Sequence, residues 1–79
     1  PSGSVRLIEV HVDSAWVGTK VSAMEKASAC KIPFLMRFGS CIVPTDQTVF
    51  QDGDLIYAAV TNDLVTNVED ILGQAPAKA

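Results

Sequence analysis

Ile32-Pro33-Phe34-Leu35-Met36-Arg37-Phe38-Gly39-Ser40-Cys41-Ile42-Val43-Pro44, followed by Thr48-Val49-Phe50-Gln51-Asp52-Gly53-Asp54-Leu55-Ile56-Tyr57-Ala58-Ala59-Val60, is the stretch whose reading decides the fold. Apolar runs at 32–38, 41–43 and 55–60 are cut by turn signals at Gly39-Ser40 and Asp52-Gly53, which predicts three strands of a small antiparallel sheet joined by short connections. Period-two alternation places Ile32, Phe34, Met36 and Phe38 on one face and Leu35 with Arg37 on the other. A guanidinium among apolar neighbours needs a carboxylate, a carbonyl or an anionic ligand, so Arg37 is a candidate binding residue. Gly39 at the head of a two-residue loop predicts a type II′ hairpin, and Pro44, with no N–H to donate, ends the return strand. The run 55–60 is apolar on both faces, as in the most buried strand of a sheet.

Working outward, Val5 to Val12 reads as a strand with Ile8, Val10 and Val12 alternating against Glu9 and His11. Val5 and Leu7 fall in the opposite phase, which predicts a bulge or a change of buried face at Leu7-Ile8. Residues 13–19 form a loop whose Trp16 and Val17 are expected to plug the core. A helix is expected from a Thr19 cap through Ala29, since Val21, Met24 and Ala27 or Ser28 recur at helical spacing. Thr61-Asn62-Asp63 marks a second helix start, with Leu64, Val68, Ile71 and Leu72 as the buried stripe and Gly73 as the stop. The order β-α-β-β-β-α describes a small α+β domain, a mainly antiparallel sheet with two helices. The domain is expected over 5–73, with 1–4 as linker and 74–79 as a flexible tail. An opening without methionine reads as a piece of a longer protein.

At 79 residues the chain is one domain near the lower limit of independent stability. It is 48% hydrophobic and only 19% charged, so apolar surface is left to be covered, which predicts a homodimer or a neighbouring domain. A net charge of −3, with few basic residues, argues against a nucleic-acid partner. No apolar run reaches membrane-spanning length.

The chemistry of catalysis is sparse. No phosphate-cradling glycine pattern occurs, so no nucleotide cofactor is expected in this segment by that means. Cys30 and Cys41, with one distant histidine, read as buried thiols that pack as small hydrophobes rather than as nucleophiles. Asp52 and Asp54 flanking Gly53 follow turn chemistry, and His11 has no second histidine with which to hold a metal. No catalytic and no metal-binding residues are predicted, and the chain is expected not to be an enzyme.

Together, Trp16-Val17-Gly18-Thr19-Lys20-Val21, the hairpin Phe34 to Pro44 and the Gly-Asp turn within Thr48 to Tyr57 resemble the C-terminal (TrkA-C) domain of TrkA-type potassium uptake regulatory proteins, over nearly the whole chain. The resemblance implies a cytoplasmic, non-enzymatic ligand-sensing domain of a Trk/Ktr-type uptake system or an RCK-gated channel. It also implies a missing upstream Rossmann lobe that holds NAD(H) or an adenine nucleotide. Such domains are paired with a twin copy, peripheral to the inner face of the membrane through a potassium transporter or channel subunit. Some relatives hold cyclic di-AMP in the dimer cleft through residues that fall near Glu25, Lys31, Ile32 and Pro44. Glu25 stands where those relatives carry arginine and repels a phosphate, and Lys31 compensates only in part, which weighs against cyclic di-AMP. With Arg37, the candidate ligand-binding set is Lys31, Ile32, Arg37 and Pro44. The alternative is a small-molecule or oxyanion-binding domain of another transport or regulatory protein, resting on Arg37 and the Gly-Asp turn.

Overall fold

The computed structural model describes residues 4–77; the linker reading of residues 1–3 and the tail reading of 78–79 lie outside the described residues. Strands β1 (Val5–Val10), β2 (Lys31–Arg37), β3 (Ser40–Ile42) and β4 (Leu55–Thr61) form one antiparallel sheet in the order β1-β4-β2-β3. Helices α1 (Val21–Ser28) and α2 (Val65–Leu72) pack on one face only. The architecture is the expected α+β domain.

The core lies between that face and the helices. Ile56, Ala58 and Val60 of the inner strand β4 meet Met24 of α1 and Val68 and Leu72 of α2, all buried. Of the two expected plugs, Trp16 closes one end of the core while Val17 is 43% exposed, and the Trp16 indole N–H donates to the Gln74 carbonyl at 2.6 Å. A buried indole N–H without a partner would forfeit the gain of burying the ring, so this bond fixes the 13–19 loop against the end of α2. Asp13 N–H reinforces it by donating to Leu72 O at 2.8 Å.

Several local expectations are corrected. β1 pairs with β4 in unbroken register from Val5↔Thr61 to Val10↔Ile56, so no bulge occurs at Leu7-Ile8. Val5 and Leu7 simply point to the other face, where they are 66% and 56% exposed. The irregularity lies in β2 instead, between Lys31 and Phe34. Pro33, unable to donate, sits within it, and the phase change lets both Ile32 and Leu35 enter the core. Ile32 therefore does not share a face with Phe34 and Met36.

The hairpin turn is Phe38-Gly39, not Gly39-Ser40. Arg37 pairs with Ser40, and both central residues have positive φ, 51° and 78°. That is a type I′ turn with glycine second, the form whose twist matches the flanking strands. Helix α1 starts at Val21 with Lys20 as its cap, and Thr19 makes no capping bond. Its first N–H is instead taken by Thr48 O at 2.9 Å, because residues 18–21 run beside the 45–50 loop. The Thr61-Asn62-Asp63 signal opens a 3₁₀ turn (Asn62–Leu64), and α2 follows it. Gly73 does end α2, but with φ −78° it is needed for space rather than for a left-handed turn: a Cβ there would lie 2.6 Å from Glu69 O. Cys41 is exposed and Cys30 half-buried, both as free thiols, so neither is the fully buried packing residue expected.

Candidate functional site

A cavity of about 940 Å³ opens beside α1, where β4 and β1 run on past the first residue of β2. Its size is that of a small-molecule site, ~300–1,000 Å³. Ser22, Glu25 and Lys26 of α1, with Ala29 just past its end, form one wall; Lys20 and Lys31 flank it. Asp46 and Gln47 come from the loop that steadies the start of α1, and Ala59 and Thr61 close the far side. That loop is itself braced by Thr45 and Thr48: Thr45 N–H donates to Thr48 Oγ1 at 2.8 Å, and Thr48 N–H to Thr45 O at 3.1 Å.

Three of the protein's six basic residues, Lys20, Lys26 and Lys31, line this cavity against two acids, Glu25 and Asp46. In an acidic chain that is a local surplus of positive charge. One of the acids is also engaged. Glu25 Oε2 accepts the Ile32 N–H at 2.7 Å, capping the first turn of backbone after α1 and tying the helix to β2. The helix ends at Ala29 in the left-handed conformation (φ 58°, ψ 47°), which swings Cys30 and Lys31 around the cavity mouth. Burial pushes the Cys30 thiol up from its ordinary pKa, the Glu25 charge adds to this, and the Ser28 hydroxyl 3.2 Å away only partly opposes it. A thiol held protonated is a poor nucleophile.

Of the residues singled out from the sequence, the structure brings Glu25 and Lys31 together in this cavity. Ile32 adjoins it through its backbone N–H, but its side chain is buried in the core. Pro44 is not among the lining residues, although Asp46 and Gln47 just beyond it are. Arg37 lies elsewhere. Its Nε and Nη2 donate to Asp54 at 2.9 and 2.7 Å, and Nη2 also reaches Val49 O at 3.0 Å. Asp54 Oδ2 accepts the Gln51 N–H as well, at 2.9 Å, so this pair closes the Asp52-Gly53 turn onto the hairpin. Burial pushes the Asp54 carboxyl up, but the Arg37 and Gln51 hydrogen bonds and the guanidinium charge outweigh it, leaving it below the usual carboxylate range. The demand that the sequence placed on Arg37 is thus met inside the chain.

Lys20, Lys26, Asp46 and Gln47 were not singled out by sequence reasoning. Lys20 caps the start of the short helix α1 and Lys26 lies in its last turn, positions that read as solvated surface until the 45–50 loop is placed beside them. Among the described residues, no group of three or more His, Cys, Asp and Glu side chains is arranged to hold a metal, and no helix is long and apolar enough to cross a membrane. Chemically, the cavity offers amines, two hydroxyls and an amide to a polar or anionic small molecule.

Comparison with known proteins agrees with this architecture. Residues 5–73 match the TrkA-C domain. The Trk system potassium uptake protein TrkA of Streptomyces coelicolor is 40% identical over 76 residues, which make up 96% of this chain and 34% of that protein. The chain therefore spans about a third of the length of that relative. A match of this extent, on a sheet and helix order of the kind described, makes the chain a member of the TrkA-C domain family.

Proposed function

We propose that this chain is the non-enzymatic, ligand-sensing domain of a potassium uptake regulator of the Trk/Ktr type or of an RCK-gated channel. Two copies pair, and a small polar or anionic effector in the Lys31 cavity biases the arrangement of the pair. The observation that carries this reading is the 40% identity, over 96% of the chain, to a protein named as a potassium uptake component. The cavity supports it, with amines positioned to meet an anion and a thiol held protonated beside them. An effector shifts such an equilibrium only through unequal affinity for two arrangements, and a cavity walled by α1, the 45–50 loop and the end of the sheet changes shape when those elements move.

In this reading Lys31 is the principal ligand cation, and Ile32 takes part through the backbone that Glu25 now caps. Pro44 sets the entry of the 45–50 loop. Arg37 holds the hairpin in place rather than meeting the effector. NAD(H) or an adenine nucleotide belongs to an upstream lobe of the parent. The domain works on the cytoplasmic side of the membrane, bound to a potassium transporter or channel subunit. The alternative, an oxyanion-binding domain of another protein, loses the cation it rested on, since Arg37 is bound to Asp54.

Two measurements test this. Removing residues 5–73 from the parent gene abolishes effector-dependent potassium uptake, while the transport subunit stays in the membrane; uptake regulated as before overturns the reading. Calorimetric titration with ATP, ADP, NADH and inorganic phosphate finds one saturable ligand, whose affinity drops at least tenfold in Lys31→Ala, on the order of one charge-assisted hydrogen bond. No saturable ligand among them removes the effector half of the reading.

A further inference from the structure

Beyond the Val10↔Ile56 pair β1 and β4 part, and a groove of about 370 Å³ opens between residues 9–17 and 50–55. The Lys31 cavity lies at the other end of the same two strands, beside Val5, Val60 and Thr61. The apolar part of the groove is the buried Phe50 with Val17 and Leu55, which are 43% and 47% exposed. Val17 is held outward by a braced loop. The Trp16 and Val17 N–H groups donate to Asp13 O and Ser14 O at 3.0 Å each, and Gly18 N–H donates to Phe50 O at 2.9 Å. An exposed valine fixed beside an exposed leucine in a preformed concavity marks a binding surface, as apolar side chains scattered singly do not. The volume is near the lower end of small-molecule sites, ~300–1,000 Å³, and suits a few side chains better than a whole nucleotide.

Charge decides what fits. Glu9, Asp52 and Asp54 line the groove, His11 is the remaining titratable group, and no lysine or arginine is among the lining residues. Asp54 is neutralised by Arg37. Glu9 accepts from the Tyr57 hydroxyl, a neutral donor, and neither Glu9 nor Asp52 forms an ion pair among the described residues. Lys20, Lys26 and Lys31 all stand at the opposite cavity. The domain is therefore polarised along β1 and β4, positive at the cavity and negative at the groove.

We infer that this groove docks a protein segment that carries lysine or arginine beside an apolar anchor, and that the segment is a cytoplasmic loop of the membrane transport subunit; this rests on the transporter partnership proposed above and names the surface that serves it. Cytoplasmic loops of membrane proteins carry an excess of Lys and Arg, the chemistry that the groove lacks. The apolar anchor covers Val17 and Leu55, while the cations meet Glu9 and Asp52 at the rim, where they steer the encounter and select the partner. The same acids repel a nucleic-acid backbone or an anionic lipid surface. The two ends of the domain then have separate partners, an anionic effector at the lysines and a basic loop at the acids.

NMR titration of the isotope-labelled chain tests this, with the synthetic peptide acetyl-Lys-Leu-Arg-Leu-Lys-amide, its counterpart with Glu at each basic position, and peptides covering each cytoplasmic loop of the transport subunit. The basic peptide and at least one loop peptide bind saturably, shift residues 9–17 and 50–55, and weaken as salt is raised, while the acidic peptide does not bind. Glu9→Lys and Asp52→Lys each weaken binding at least about fivefold, the size of one surface ion pair lost and a repulsion gained. Val17→Ser weakens it as well. Asp70→Lys, an exposed site on α2 outside the groove, changes net charge equally and leaves the affinity within about twofold, and circular dichroism confirms the fold of each variant. No saturable binding of the basic peptide overturns the groove, as does binding that Asp70→Lys weakens as much as Glu9→Lys and Asp52→Lys. A groove that takes the basic peptide but no loop peptide overturns the assignment of its partner. None of these results touches the regulatory reading, which stands or falls by potassium uptake after removal of residues 5–73.

Discussion

Asp54 is the residue on which most local structure converges. Its carboxylate accepts from Arg37 on β2 and from Gln51 across the turn, and its side chain is 1% exposed against 23% for Arg37. Removing the guanidinium leaves a buried carboxylate with one backbone donor, so Arg37→Met is expected to destabilise the fold by about 3 kcal/mol in urea unfolding at neutral pH. The pH dependence follows from the depressed carboxyl. The pair's contribution is fully present above the ordinary aspartate pKa of ~3.9 and is lost as pH falls below it through the folded-state value. In Arg37→Met burial is no longer outweighed, and the loss of stability on acidification between neutrality and pH ~3 becomes smaller than in the wild type. Trp16 makes the second single-residue test. Trp16→Phe removes the donor to Gln74 O and should cost about 1–2 kcal/mol in thermal or urea unfolding, most of it at the junction of the 13–19 loop with α2.

Among the elements, the β2–β3 hairpin and α1 were differently legible. Alternating apolar residues around glycine announced the hairpin, but the turn type followed from pairing: Arg37↔Ser40 leaves Phe38 and Gly39 as the loop. Phe38→Asn should therefore raise the stability of the domain by about 0.5–1 kcal/mol in urea unfolding, because asparagine accepts the left-handed turn position with less strain than a bulky aromatic. Helix α1 has eight residues and no side-chain cap, so its ends are set from outside. The Thr48 carbonyl takes its first N–H, and Glu25 reaches forward to the Ile32 N–H. Glu25→Ala is expected to cost about 1 kcal/mol, read by urea denaturation, and to loosen the Cys30-Lys31 corner of the cavity, read as faster alkylation of Cys30.

The whole molecule is a two-layer domain, with helices on one face of the sheet and the other face open. Its apolar excess, visible in composition, is concentrated on the helix-free face by the alternation of β1 and β4, where both phases of each strand carry apolar residues. The same two-sided pattern that suggests a fully buried strand describes a strand buried by helices on one side and open on the other. The positive cavity is likewise a property of assembly. Lys20, Lys26 and Lys31 are scattered in sequence and meet only because α1 turns back at Ala29 beneath the 45–50 loop.

Periodicity and turn residues were enough to read the strand and helix order, the buried stripe of α2, Trp16 as a plug and the need of Arg37 for a carboxylate, a carbonyl or an anion, because each depends on neighbours within a few positions. The bulge around Pro33, the Phe38-Gly39 turn, the capping of Ile32 by Glu25 and the gathering of the three lysines depend on contacts between segments far apart in the chain. Local spacing carries no information about which distant backbone group will satisfy a donor, and so those features emerged only when the sheet register was set.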